Sequence, residues 1–138
     1  MAIPTVVLDT NVFVSALRSR RGASFAVVER IGSGEFEIAI SVPLVLEYED
    51  AMLRHRSGLS TGDVRDIVDY VCSTARHQRV FFLWRPLLRD PNDDMVAEVA
   101  VAAGVDAIVT HNRCDFLGVE KFGLKIWSPQ QLLERIRR

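Results

Sequence analysis

Short continuous apolar runs alternate along the chain with segments whose apolar residues recur every three to four positions. This is the pattern of buried strands separated by amphipathic helices. Thr5-Val6-Val7-Leu8, closed by Asp9, reads as the first strand. A helix is predicted over Asn11–Leu17 and, after the charged break Arg18–Gly22, a second over Ala23–Ile31. Phe25, Val28 and Ile31 line one side of it, and Gly32-Ser33-Gly34 stop it. Glu37–Val42 is the second strand. Pro43 suits a first helical position, after which Leu44, Val45, Tyr48 and Met52 share one face. Beyond the charged, Gly-containing loop Arg54–Gly62, a start at Ser60-Thr61-Gly62-Asp63 leads into Val64, Ile67, Val68 and Val71 at helical spacing.

The second half repeats the alternation. Val80–Leu83 reads as a third strand, and Trp84–Pro91 as a loop with two prolines. Asn92-Asp93-Asp94 opens a helix that runs to about Ala103, where Gly104 is a natural stop. Ala107-Ile108-Val109-Thr110 is the fourth strand and Lys125-Ile126-Trp127 a short fifth. Ser128-Pro129 then caps a last helix, Gln130–Arg137. Strands alternating with helices imply parallel βαβ units. The expected fold is therefore α/β, a three-layer α/β/α sandwich around a parallel sheet of about five strands. No internal repeat or linker divides the sequence, so residues 1–138 read as a single domain.

Composition adds mainly exclusions. A chain of 138 residues, 49% hydrophobic and 25% charged, can bury a core without disulfides or structural zinc. No apolar run approaches the ~20 residues needed to span a bilayer, and the first residues carry no basic segment of the secretory kind. A cytoplasmic location without membrane association is expected. Cys72 and Cys114 are far apart and lie outside any zinc-binding spacing. The net charge of −1 creates no overall basic field. The cations are nonetheless 15 Arg and 2 Lys, a bias that suits bidentate contacts to phosphate or carboxylate.

The candidate chemistry comes from where the acids fall. Ligands of open parallel sheets bind beyond the carboxyl ends of the strands. Asp9 ends the first strand, and Glu47 lies about one turn into the helix after the second. Asp90, Asp93 and Asp94 follow the third, and Asp115 sits five residues past Thr110 at the end of the fourth. Taken singly, each has an ordinary reading: Asp9 as a helix N-cap, Asp93 and Asp94 as first-turn acids, Glu47 and Asp115 as solvated charges. Together, four strand ends bring carboxylates to one side of one sheet. Carboxylates within ~6 Å repel one another unless a cation intervenes. An all-oxygen set favours Mg²⁺ or Mn²⁺ over zinc, and such a site suits metal-assisted hydrolysis of a phosphodiester. His55 and His77 read as solvated, His111 as nearer the cleft, and Trp84 and Trp127 as core or rim residues.

Four segments carry a family resemblance. Val6-Val7-Leu8-Asp9-Thr10-Asn11-Val12-Phe13-Val14-Ser15-Ala16 resembles the opening signature of PIN-domain proteins. Ser41-Val42-Pro43-Leu44-Val45-Leu46-Glu47-Tyr48 is similar to their second-acid segment. Asp90-Pro91-Asn92-Asp93-Asp94-Met95-Val96-Ala97-Glu98-Val99-Ala100 and Ala107-Ile108-Val109-Thr110-His111-Asn112-Arg113-Cys114-Asp115-Phe116-Leu117 are similar to the third and fourth. Within that family the chain most resembles the VapC-like toxin components of toxin–antitoxin pairs. The resemblance implies a cytoplasmic endoribonuclease that uses Mg²⁺ or Mn²⁺, forms a homodimer and is inhibited by a cognate antitoxin. It makes Asp9, Glu47, Asp94 and Asp115 the catalytic and metal-binding quartet, with Glu47 acting directly or through water. Asn11 and Thr110 become polar supports, and Asp90 and Asp93 remain possible additional acids. Many relatives place an acid two residues after the Thr, where this chain has Asn112.

Other chemistries fit less well. An aspartyl-phosphate phosphatase of the haloacid-dehalogenase kind needs a second Asp where this chain has Asn11, and a receiver domain needs an Asp where Val80–Leu83 runs into Trp84. No GxxxxGK[ST] motif is present. The alternative from another class is a catalytically weak module of the same fold that acts by binding RNA or an antitoxin. Retention of mutually repelling carboxylates argues against it. An RNA substrate would require a basic rim around the acids, for which Arg18, Arg20, Arg21, Arg54, Arg56 and Arg113 are the candidates.

Overall fold

The run Val6-Val7-Leu8 is wholly buried because its strand, β1 (Thr5–Leu8), has a strand on either side and helices over its faces. A computed structural model describes residues 3–80 and 91–136. β1 is followed by α1 (Thr10–Arg18), α2 (Ala23–Glu29), β2 (Glu37–Ile40), α3 (Val42–Arg54), α4 (Thr61–Thr74) and β3 (Arg76–His77). Then come α5 (Pro91–Ala103), β4 (Ala107–Val109), a 3₁₀ segment (Arg113–Phe122), β5 (Lys125–Trp127) and α6 (Pro129–Ile136). Among the described residues, five strands form one sheet in the order β3-β2-β1-β4-β5, every pair parallel. Helices flank it to give the expected three-layer α/β/α sandwich.

Local chemistry explains where the helices begin. The Ser41 Oγ accepts from the Leu44 N–H at the start of α3, with Pro43 in the first turn. Ser60 and Asp63 form a reciprocal capping box at α4. α5 lies against β1, β2 and β4, and its inward side (Val96, Ala97, Val99, Ala100) is fully buried. The small residues Ala97 and Ala100 let its backbone approach the sheet closely.

The strand expected at Val80–Leu83 falls outside the described residues except for Val80, which is in no regular element. The third described strand is the two-residue β3, which the hydropathy pattern did not single out, paired through Ala39↔Arg76 and Ile40↔His77. Arg76 and His77 are both exposed, so this edge strand carries no apolar run for a hydrophobicity pattern to detect. The stretch after Asn112, expected as loop, winds into a 3₁₀ segment that buries Phe116 and Val119 and ends on Gly123 with φ +81°.

The link after α2 is another tight position. Gly32 has φ +84°, and a Cβ there would come within 2.5 Å of the Tyr70 Oη, which donates to the Ile31 carbonyl at 3.0 Å. An alanine at this position must take a left-handed conformation, costing about 1–2 kcal/mol, and push Tyr70 off its hydrogen bond. Gly32→Ala is therefore expected to lower unfolding stability by roughly 2 kcal/mol, read as a reduced urea midpoint at unchanged slope.

Candidate active site

The register of β1 against β4 builds the centre of the site. Leu8 pairs with Val109, so the next residues, Asp9 and Thr110, leave the sheet side by side. The Asp9 N–H donates to the Val109 carbonyl at 2.9 Å, and the Thr110 N–H to the Trp127 carbonyl at 2.9 Å. Thr110 is completely buried. Its hydroxyl donates to the Asp9 Oδ2 at 2.7 Å and accepts from the Asn112 N–H at 3.0 Å. Asp9 does occupy the N-cap position of α1, but its side chain makes no capping bond and is committed to Thr110. The positive end of α1 still lies beside it, which favours its negative charge.

Tyr48 ties α3 to the same point. It is buried, packs at a 43° tilt against Phe13 with ring centroids 4.4 Å apart, and donates its hydroxyl to the Leu8 carbonyl just before Asp9. Burial first, and then the charge of Asp9, hold the Tyr48 phenol well above its ordinary value. The phenol thus stays a donor. With Tyr48 turned inward, its neighbour Glu47 faces the open side of the helix.

The carboxyl ends of the strands open into a cleft of about 380 Å³. Its walls include Asp9, Glu47, Asp93 and Asp115, with Asn11 and Asn112 among them. Two helices supply matching stripes: Asn11, Val14 and Arg18 from α1, and Glu47, Ala51 and Arg54 from α3, with His55 at the C-cap of α3 beside them. Such spacings keep residues on one helix face, and seven residues of helix rise about 10 Å. The acids thus lie nearest the strand ends, and one arginine stands about two turns out along each helix.

Most of the sequence-predicted residues meet here. Asp9, Asn11, Glu47 and Asp115 line the cleft, and Thr110 supports Asp9 from below. From the start of α5 it is Asp93 that faces the cleft; Asp94 is 1% exposed and is not among its lining residues. Asp90 lies outside the described residues. Of the arginines proposed for the rim, Arg18 and Arg54 line the cleft and Arg20, Arg21, Arg56 and Arg113 do not. His55, expected to be a solvated residue, is exposed yet forms part of the cleft wall; its spacing of eight from Glu47 carried that signal. His111 turns away and bonds through Nε2 to the Ser24 hydroxyl, and partial burial lowers its pKa. Trp127 is a core residue, as expected, and Trp84 is outside the described part.

Oxygen donors dominate the cleft, and a hard divalent cation fits that donor set. Among the described residues no three His, Cys, Asp or Glu side chains close into a ready-made metal cage. An open set of separate carboxylates matches the way Mg²⁺ is held, by a few carboxylates with waters completing the shell.

Residues 5–114 match the family model for the PIN domain, and the chain belongs to that family. Two solved structures share the fold. One is VapBC2 from Rickettsia felis bound to a DNA fragment from their promoter, with 18% identity, a TM-score of 0.61, and coverage of 90% of this chain and 98% of the other. The second is VapBC-1 from nontypeable Haemophilus influenzae, with 14% identity, a TM-score of 0.61, and coverage of 91% and 98%. No curated protein matches the sequence. No described helix is long and apolar enough to cross a membrane.

Two outcomes test this geometry. Thr110→Val removes a hydrogen bond to a buried carboxylate and is expected to cost about 2 kcal/mol of unfolding stability, whereas Thr110→Ser should stay within about 1 kcal/mol of the native chain. For Tyr48, the folded phenol titrates above the unfolded value of 10.0, so above that pH the unfolded chain binds fewer protons. Its contribution is complete below pH 10 and declines as pH rises toward the folded pKa. Denaturant titrations between pH 9 and 11 should show native stability falling relative to Tyr48→Phe by up to about 1.4 kcal/mol per pH unit above 10.

Proposed function

We propose that this protein is a metal-dependent endoribonuclease, the toxin of a type II toxin–antitoxin module. The observation that carries this reading is the cleft itself. Carboxylates from the end of β1, from α3, from the start of α5 and from the segment after β4 converge on one opening whose outer wall carries Arg18 and Arg54. An acidic floor for a hard cation below a cationic rim for phosphates is the arrangement that a polyanionic substrate and metal-assisted hydrolysis require. The likeness to two VapBC structures adds to this by fold, and an inhibitory antitoxin, a second copy of the chain and a cytoplasmic setting are the corresponding partners and location.

Asp9, Glu47, Asp93 and Asp115 would hold Mg²⁺ or Mn²⁺. When bound, such a cation supplies a water of lowered pKa and neutralises charge on a phosphodiester under in-line attack. The protein's own part is positional. Thr110 keeps one oxygen of Asp9 fixed, so that the carboxylate does not turn to follow solvent. Asn11 presents an amide to the same space, and its Oδ1 also lies 3.5 Å from the His111 N–H, steadying the loop after β4. Arg18 and Arg54 would bind phosphates on either side of the scissile one. Asp94, buried just behind Asp93, is assigned to support of the helix start.

The test is cleavage of a mixed structured and single-stranded RNA pool in Mg²⁺ or Mn²⁺ against EDTA, with Asp93→Asn and Asp94→Asn in parallel. Metal-dependent cutting that falls at least about 100-fold in folded Asp93→Asn is the expected result. Asp94→Asn should instead lower thermal stability and leave most of the activity of its folded fraction. Loss of cutting in a stably folded Asp94→Asn with full activity in Asp93→Asn would exchange the two roles. A folded native chain that neither cuts RNA nor binds Mn²⁺ would replace the nuclease reading with that of a partner-binding module.

A further inference from the structure

Arg54 is a cation built into an acidic cleft, and it touches two acids at once. Its Nη2 lies 3.7 Å from the Glu47 Oε1 and 3.2 Å from the Asp50 Oδ2. The two acids differ in setting. Glu47 is 18% exposed and lines the cleft, while Asp50 is 65% exposed and is not among the lining residues. Arg54 itself is 57% exposed, at the last turn of α3 where a cation also complements the helix end. Ion pairs this exposed are weak, and a long side chain leaves them readily.

From this geometry we propose that Arg54 is a displaceable counter-ion. In the metal-free protein it shares Glu47 with the cleft and offsets the repulsion among the acids. When a divalent cation is held by the carboxylates, like-charge repulsion drives Arg54 off Glu47 onto Asp50 at the rim. There it is held by the i,i+4 pair and its remaining N–H groups are available to a phosphate of the bound strand. The guanidinium is the same group in both roles, so loading the site with metal also prepares the rim for substrate. This inference rests on the metal-dependent nuclease reading and adds a residue that couples the metal site to phosphate binding.

The coupling makes one variant act in opposite directions on two ligands. Giving up a unit-charge pair about 4 Å long in a water-exposed setting opposes the cation that displaces it by roughly a factor of five in affinity. In Arg54→Gln, Mn²⁺ binding, read by the free-ion electron paramagnetic resonance signal, is expected to tighten about fivefold. Arg54→Lys, which keeps the charge, should stay near the native value. Binding of a mixed-sequence 2′-O-methyl oligoribonucleotide, read by fluorescence anisotropy, should weaken several-fold in Arg54→Gln when Mn²⁺ is present, with the salt dependence reduced by about one phosphate contact. In EDTA the same variant should change oligonucleotide binding little. Mn²⁺ affinity that is unchanged or weaker in Arg54→Gln overturns the proposal while leaving the metal site intact. Equal oligonucleotide affinities of native and variant chains in Mn²⁺ overturn the phosphate role. Absence of Mn²⁺ binding by the native chain overturns the nuclease reading and this inference with it.

Discussion

A carboxylate at the end of a fully buried central strand needs a partner, and in this protein the Thr110 hydroxyl provides it. The bond to Asp9 spans the junction of β1 and β4, whose pairing through Leu8 and Val109 is what makes the two residues adjacent. Because Thr110 also accepts from the Asn112 N–H, the chain after β4 is drawn back over Asp9 before it winds into the 3₁₀ segment that carries Asp115. Tyr48 holds the other side, joining α3 to the Leu8 carbonyl and leaving Glu47 turned to the cleft. The acids are thus placed by backbone register and by two buried hydroxyls, and the opening between them needs little further support.

The electrostatics follow from the same placement. Asp9 stands at the positive end of α1, and Asp93 and Asp94 lie in the first turn of α5. Each helix end favours a nearby negative charge by about 0.3–1 kcal/mol, which lessens the repulsion among carboxylates gathered at one edge of the sheet. Arg18 and Arg54 add cations farther out along their helices. Their backbones stand about two turns from the acids, but the Arg54 guanidinium reaches back to 3.7 Å from Glu47, so opposite charges meet within the cleft. A net charge of −1 conceals this arrangement, because it sums all 17 cations and 18 acids of the chain regardless of where they lie.

The sequence resolved some features better than others. The apolar runs of β1, β2 and β4 were legible because strands buried on both faces must be continuously hydrophobic. β3 was not, since an exposed two-residue edge pairs through its backbone and carries no hydrophobic signal. Among the acids, Asp9 and Asp115 were fixed by their distance from a strand end. The pair Asp93-Asp94 was not, because neighbours on a helix point about 100° apart and only the rotation of α5 against the sheet decides which of them meets the cleft. The same holds for the arginines: six lay in suitable loops or helix ends, and two share a helix face with residues of the cleft.

The sequence by itself determined the layered α/β architecture, the strand ends at which acids accumulate and the all-oxygen character of the donors. These depend on periodicity and residue type, which are local and survive without knowledge of the packing. Tertiary structure alone decided that Asp93 and not Asp94 lines the cleft, that Thr110 bonds to Asp9 across 101 positions of chain, and that Arg54 lies between an inner and an outer carboxylate. Those relations join residues distant in sequence or adjacent on a turning helix. They are set by strand register and helix rotation, which arise only when the apolar faces have found one another.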